Sequence, residues 1–190
     1  MKIFEYDEIL STNKAARQML AQNVVAPFCL IANKQTAGIG RYDRTFYSPE
    51  GGLYMTLVLN EKHFGDIKFI TGRIAVILIE TIQKFTSHKP QIKWVNDILI
   101  DGKKAAGILV EKTGGNLIIG IGVNLYKTEE EPAHLKDKMT YLNLPKEKKG
   151  KFFDFIIDLI MNQKISSQKN IELYTKYSKT PVNEDGSLKT

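Results

Sequence analysis

Lys93-Trp94-Val95-Asn96-Asp97 places a cation, a carboxamide and a carboxylate within one short segment, and Gly107-Ile108-Leu109-Val110-Glu111 follows it closely. A lysine inside an apolar strand is costly unless its ammonium meets an anion, so Lys93 is a candidate for holding a carboxylate or phosphate. Asn96 and Asp97 suit ribose, phosphate or a Mg2+ ion. In isolation they suit a strand-end turn equally well, with Lys93 reaching back to solvent. Upstream lies Gln35-Thr36-Ala37-Gly38-Ile39-Gly40-Arg41-Tyr42-Asp43-Arg44. Gly38 and Gly40 let backbone amides approach anionic oxygens, and Arg41 and Arg44 add forked donors for phosphate or carboxylate. Together the two segments outline a pocket for a small acid and a nucleotide.

Ser11-Thr12-Asn13 stands before a run of strong helix formers, where Ser11 or Thr12 can cap the exposed amides. Free amides at a helix start also receive anions and polar ligand heads, so capping and binding both stay open. Gly120-Ile121-Gly122-Val123-Asn124 puts small residues on a strand, which marks close backbone approach or a bulge. Asn124 suits a ligand contact or a turn. The glycine segment around Gly38 is no dinucleotide fingerprint, because Asp43 stands where a third glycine belongs. His63, His88 and His134 are scattered, and with one cysteine they make no zinc site. No nucleophile–base pair can be argued.

These residues need elements to hold them. The pattern predicts a helix after Asn13, a strand from Val24 to Ala32, a loop from Gly38 to Arg44 and a strand from Leu53 to Leu59. Apolar residues at helical spacing predict a long core helix over Ile67 to Phe85. Strands follow at Ile92 to Val95, Asp97 to Ile100, Lys104 to Lys112 and Asn116 to Leu125, with Asp101-Gly102 as a hairpin turn. Helices come last, over Phe152 to Met161 and Ile171 to Tyr177, before a loose tail from Pro181 to Thr190. Strands in the middle and helices around them favour an α+β fold: a mixed or antiparallel sheet covered by helices.

The chain of 190 residues is long enough for a substantial core, with ordinary apolar (43%) and charged (25%) fractions. Its formal net charge of +6 can steer an anionic substrate or acidic partner, or simply be a solvated surface. A lone cysteine, Cys29, excludes an internal disulfide and points to a reducing compartment. No apolar run is long enough for a membrane span and no signal peptide is apparent, so the expected location is the cytoplasm, with no membrane partner.

Taken in order, Ser11-Thr12-Asn13, Gln35 to Arg44, Lys93 to Asp97, Lys104 to Glu111 and Gly120 to Asn124 resemble the motifs of the biotin protein ligases. Each motif is weak alone; the ordered set is specific. The resemblance implies a biotin/lipoate ligase-like catalytic domain over residues 1–178 and a short tail over 179–190. It implies MgATP-dependent formation of biotinyl-5′-adenylate, then transfer of biotin to a lysine of a biotin carboxyl carrier protein. By motif matching, biotin would be held by Ser11, Thr12, Asn13, Gln35, Gly38, Ile39, Gly40, Arg41, Lys93 and Gly107. The nucleotide would meet Arg41, Arg44, Lys93, Asn96 and Asn124, with Arg41 and Lys93 as the catalytic cations. ATP and Mg2+ are the implied cofactors; the metal arrives with ATP, and Asp97 is its one protein candidate.

The chain departs from the family pattern at Ile39, where arginine is usual, at Tyr42-Asp43, and at Val95, where proline is usual. Weaker retention of the adenylate is expected from Ile39 and from the charge of Asp43. Many members carry an N-terminal DNA-binding domain and a C-terminal SH3-like domain. Here the pattern starts at residue 11, so no nucleic-acid partner is expected, and Val182 to Leu188 is at most a vestige of the second. A homodimer stays open. The rival readings are a lipoate or octanoate ligase and a biotin-binding protein with weakened catalysis.

Overall fold

In the computed structural model, which describes residues 1–183, 187 and 189, seven strands form one sheet with helices on both faces. The strands are β1 (Lys2–Ile9), β2 (Phe28–Gln35), β3 (Gly52–Asn60), β4 (Gln91–Lys93), β5 (Asp97–Ile100), β6 (Lys103–Thr113) and β7 (Asn116–Asn124). The helices are α1 (Thr12–Ala21), α2 (Ile70–Phe85), α3 (Lys149–Asn162) and α4 (Ser167–Tyr177). Strand order is β1-β2-β3-β7-β6-β5-β4. Only β1 and β2 run parallel, joined by α1; every other neighbouring pair is antiparallel. The mixed α+β sheet expected from the order of elements is the sheet observed.

The apolar residues divide into two layers. Leu53, Met55 and Leu57 of β3 and Ile119, Ile121 and Val123 of β7 join the core packed by α2, α3 and α4. Alternate positions face the other way, where Val58 and Ile118 pack with Ala16 of α1 and with Phe28 and Leu30. Period-two alternation therefore assigns each side chain of the central strands to one layer. On the α1 side the row along β6 is Gly107, Leu109, Glu111, and opposite it on β7 stand Gly122, Gly120 and Ile118. Three of these six are glycines, so the layer thins to a slot beyond the N-terminal end of α1.

Several boundaries differ from the pattern. β1 was not anticipated from the sequence; it is an edge strand whose residues are mostly exposed, so it carries little apolar signal. The strand expected from Val24 starts only at Phe28, because Asn23 has a left-handed φ of 64° and Pro27 has no N–H for a ladder. The strand expected over Ile92 to Val95 stops at Lys93. Here the lysine placed in an apolar strand needs correcting: Ile92 points inward while Gln91 and Lys93 are exposed, so no buried ammonium demands an anion. The expected loose tail also docks in part. Lys179 N–H donates to Ile92 O at 2.8 Å and Val182 is buried in the core. Part of the stretch Val182 to Leu188 lies outside the described residues.

Candidate active site

One cavity of about 290 Å³ opens over the glycine slot. Its walls come from the start of α1, the segment between β2 and β3, the β4–β5 turn, and the α1-side face of β6 and β7.

The α1 end is a hydrogen-bonded row. Ser11 caps the helix, its Oγ accepting from Lys14 N–H at 3.4 Å, which contributes about 1 kcal/mol to a helix start. Thr12 donates its N–H to Gln35 Oε1 at 2.8 Å, and Gln35 Nε2 donates to Ser48 Oγ at 3.0 Å. Thr56, fully buried on β3, lies 2.7 Å from Asn13 Oδ1 and 2.8 Å from Thr12 Oγ1. Asn13 Nδ2 donates to Glu111 Oε2 at 2.9 Å. A Cβ on Gly120 would lie 2.1 Å from Asn13 Oδ1, so glycine is what lets this amide rest on the sheet.

The segment expected to be a loop, Gly38 to Arg44, is a closed hairpin. Phe46 N–H donates to Gly38 O at 2.9 Å, Gly40 N–H to Arg44 O at 2.7 Å, and Ile39 bridges Thr45. Tyr42 and Asp43 both take left-handed φ (57° and 54°), the pair of positive angles a tight type I′ hairpin turn requires. Asp at such a position is tolerated, and Asp43 points to solvent outside the cavity lining. The hairpin lowers the Phe46 ring onto the slot. A Cβ on Gly122 would lie 2.6 Å from Phe46 Cε1, and one on Gly107 3.0 Å from Cε2.

The far end is cationic. Arg41, Arg44, Lys93 and Lys104 line it, against the single carboxylate of Asp97. Arg41 donates to Asn96 Oδ1 at 3.5 Å and to the Tyr42 hydroxyl at 3.0 Å, while Asn96 Nδ2 donates to Ile108 O at 3.2 Å. Lys104 Nζ is 2.7 Å from Asp97 Oδ1 and 5.1 Å from the centre of the Phe46 ring.

Of the residues singled out from sequence, Ser11, Thr12, Asn13, Gln35, Ile39, Gly40, Arg41, Arg44, Lys93, Asn96, Asp97 and Gly107 share this one cavity. Two do not line it. Gly38 lies beneath the wall, where a Cβ would meet Phe46 O at 2.5 Å. Asn124 is buried behind Lys104, and its amide donates to Lys104 O at 3.3 Å and Thr140 O at 3.1 Å. Sequence reasoning gave no site role to Phe46, to Thr56 or to Lys104, which it named only as the start of the Lys104-to-Glu111 motif. Lys104 was concealed by strict alternation, which puts it on the face opposite Gly107. A β-bulge interrupts the β5–β6 register, Ile98 pairing with Ala106 but Leu99 with Lys104, and this returns Lys104 to the cavity side.

Among the described residues no group of three or more His, Cys, Asp or Glu is placed to hold a metal ion, and Asp97 is already engaged by Lys104. No described helix is long and apolar enough to cross a membrane.

The family model described as Biotin/lipoate A/B protein ligase family matches residues 7–125. The Bifunctional ligase/repressor BirA of Bacillus spizizenii is 38% identical over 149 residues, covering 72% of this chain and 45% of its own. The Biotin–[acetyl-CoA-carboxylase] ligase of Paracoccus denitrificans is 33% identical over 124 residues, 60% of this chain and 51% of its own. The chain thus spans about half the length of these relatives. Among solved structures, the biotin protein ligase of Aquifex aeolicus in complex with biotin and ATP superposes with a TM-score of 0.76 at 25% identity, covering 94% of this chain and 79% of that one.

Proposed function

The chain belongs to the biotin/lipoate A/B protein ligase family, and from that premise we propose that it is a biotin protein ligase. The observation that carries the reading is one cavity with two chemically opposite ends, acceptor-rich at Thr12, Gln35 and Asn13 and cationic at Arg41, Lys93 and Lys104. The distal ring of biotin, with its urea N–H groups, suits the first end. The valerate carboxylate and the α-phosphate of ATP suit the second, with the slot over Gly107 and Gly122 between them.

In the first step a biotin carboxylate oxygen forms a bond to the α-phosphorus, and the bond to pyrophosphate breaks. No protein nucleophile is required, because ATP supplies the activation. The protein brings two anions together and stabilises charge on the phosphate, a role that the cationic lining of Arg41, Lys93 and Lys104 supports. Mg2+, arriving with ATP, would supply charge neutralisation on the nucleotide; Asp97, the one carboxylate in the cavity lining, is its candidate protein contact and is paired with Lys104 in this structure. In the second step a lysine amine of the acceptor attacks the acyl carbon, AMP leaves, and the amine loses its proton. The acceptor is a carrier domain of acetyl-CoA carboxylase or similar, a choice supported by the names of the relatives. A reducing cytoplasm is the compartment, in keeping with the lone thiol of Cys29.

Incubation with ATP, labelled biotin and a carrier domain tests the reading. Label on the carrier, with pyrophosphate released before transfer, is expected. Transfer of lipoate in place of biotin supports the rival ligase, and biotin binding without transfer supports a weakened enzyme.

A further inference from the structure

Glu111 closes the Gly107-to-Glu111 motif, yet it does not line the cavity and the reaction above makes no use of it. Its carboxylate instead reaches α1. Oε2 accepts from Asn13 Nδ2 at 2.9 Å and Oε1 pairs with Arg17 at 3.2 Å, one turn further along the helix.

Beyond Asn13 four oxygens stand in a row: Asn13 Oδ1, Thr56 Oγ1, Thr12 Oγ1 and Gln35 Oε1, separated by 2.7, 2.8 and 3.0 Å. Both end atoms are carbonyl oxygens and can only accept. The Gln35 end is fixed because the Thr12 N–H donates to Oε1. The Asn13 end is fixed by Glu111: a carboxylate paired with arginine only accepts, so the amide must turn its NH2 towards it and its oxygen towards Thr56. Three short contacts therefore share two hydroxyl hydrogens. Asn13, Thr12 and Thr56 are all buried, so the missing donor can reach this row only from within the cavity that Thr12, Asn13 and Gln35 line.

We infer that Glu111 is a positioning residue that keeps this end of the cavity one donor short, so that it selects a ligand head bringing its own N–H. The inference rests on the biotin reading, in which the cyclic urea brings two such groups. Without Glu111 the Asn13 amide can turn over, give a hydrogen to Thr56, and leave the row satisfied without ligand.

The test measures binding of biotin and of two cyclic-carbamate analogues, each with one urea N–H replaced by oxygen, alongside the KM for ATP. The ratio of affinities for biotin over the weaker analogue is expected to fall about tenfold in Glu111→Ala, the worth of one neutral hydrogen bond, with the ATP KM unmoved. Glu111→Gln, whose carbonyl can still accept from Asn13, should lose less, and it carries the comparison if the alanine variant does not fold. Arg17→Ala should leave the ratio within about threefold, as for other exposed ion pairs. Equal weakening of all three ligands, or an unchanged ratio, overturns the positioning role while leaving the biotin reading intact. A wild-type protein that binds none of the three overturns the biotin reading and this inference together.

Discussion

Asp97 and Lys104 face each other across the β5–β6 pair with 2.7 Å between carboxylate and ammonium, and the bulge between them turns Lys104 towards the glycine slot. The carboxylate orients the lysine without burying it, since their side chains keep 25% and 32% of their exposure. Lys93, by contrast, makes no ion pair with the described residues and stands exposed at the end of β4.

This asymmetry gives the first prediction. Lys104→Met should slow adenylate formation by roughly 10²–10³-fold, the range for losing one preorganised charge at a developing anion. Lys93→Ala should slow it less, because an exposed ammonium contributes less per contact. Pyrophosphate release at saturating biotin and ATP measures both, and an effect confined to KM for Lys104→Met would count against a transition-state role.

Gly122 supplies a steric prediction. A methyl there would meet Phe46 Cε1 at 2.6 Å and push the ring out of the slot. Gly122→Ala should weaken biotin binding by about tenfold or more and cost about 1–3 kcal/mol of stability, the usual range for overpacking. Adding Phe46→Ala should return part of the stability. Thermal unfolding of the two single variants and the double variant decides this, and strict additivity would mean that the two residues do not meet.

How much of this was legible in sequence depends on what each residue's signal is. The long helix α2 and strands β5 to β7 declared themselves through periodicity, because each presents one or two faces to a core. Ser11 and Arg41 were singled out through local chemistry and Gln35 through the family resemblance, and the structure brings the three to one cavity. Lys104 was hidden because a bulge changes which face a residue joins, and nothing in Lys103-Lys104-Ala105-Ala106 encodes the bulge locally. Thr56 was hidden because one hydroxyl in an apolar strand gains meaning only from Thr12 and Asn13, more than forty positions away. The hairpin at Tyr42-Asp43 was missed because neither residue is the glycine that such a turn usually carries.

Cys29 gives a prediction independent of the ligand. Burial pushes its thiol up to about 12, so the native thiol stays protonated and unreactive. An alkylating reagent at mildly alkaline pH should label it only in denaturant. The same shift sets a pH dependence. From about 8.5, where an unfolded thiol ionises, up to about 12, the unfolded chain loses a proton that the native chain keeps, so stability falls as pH rises. Rapid native labelling would show that β2 opens far more readily than its packing implies.

Ile39 lines the cavity within the hairpin, two residues before Arg41. Its side chain brings no donor, whereas an arginine at this position would reach the same space with a forked cation. The hairpin is already closed by its own backbone bonds through Gly38, Gly40 and Arg44, so the substitution does not have to organise the segment before acting. Ile39→Arg should therefore slow dissociation of biotinyl-5′-adenylate by about 10–100-fold, the worth of one charged hydrogen bond. The rate of loss of preformed adenylate from wild type and variant is the measurement. Equal rates would mean that retention is set elsewhere, by the cations Arg41, Lys93 and Lys104 alone.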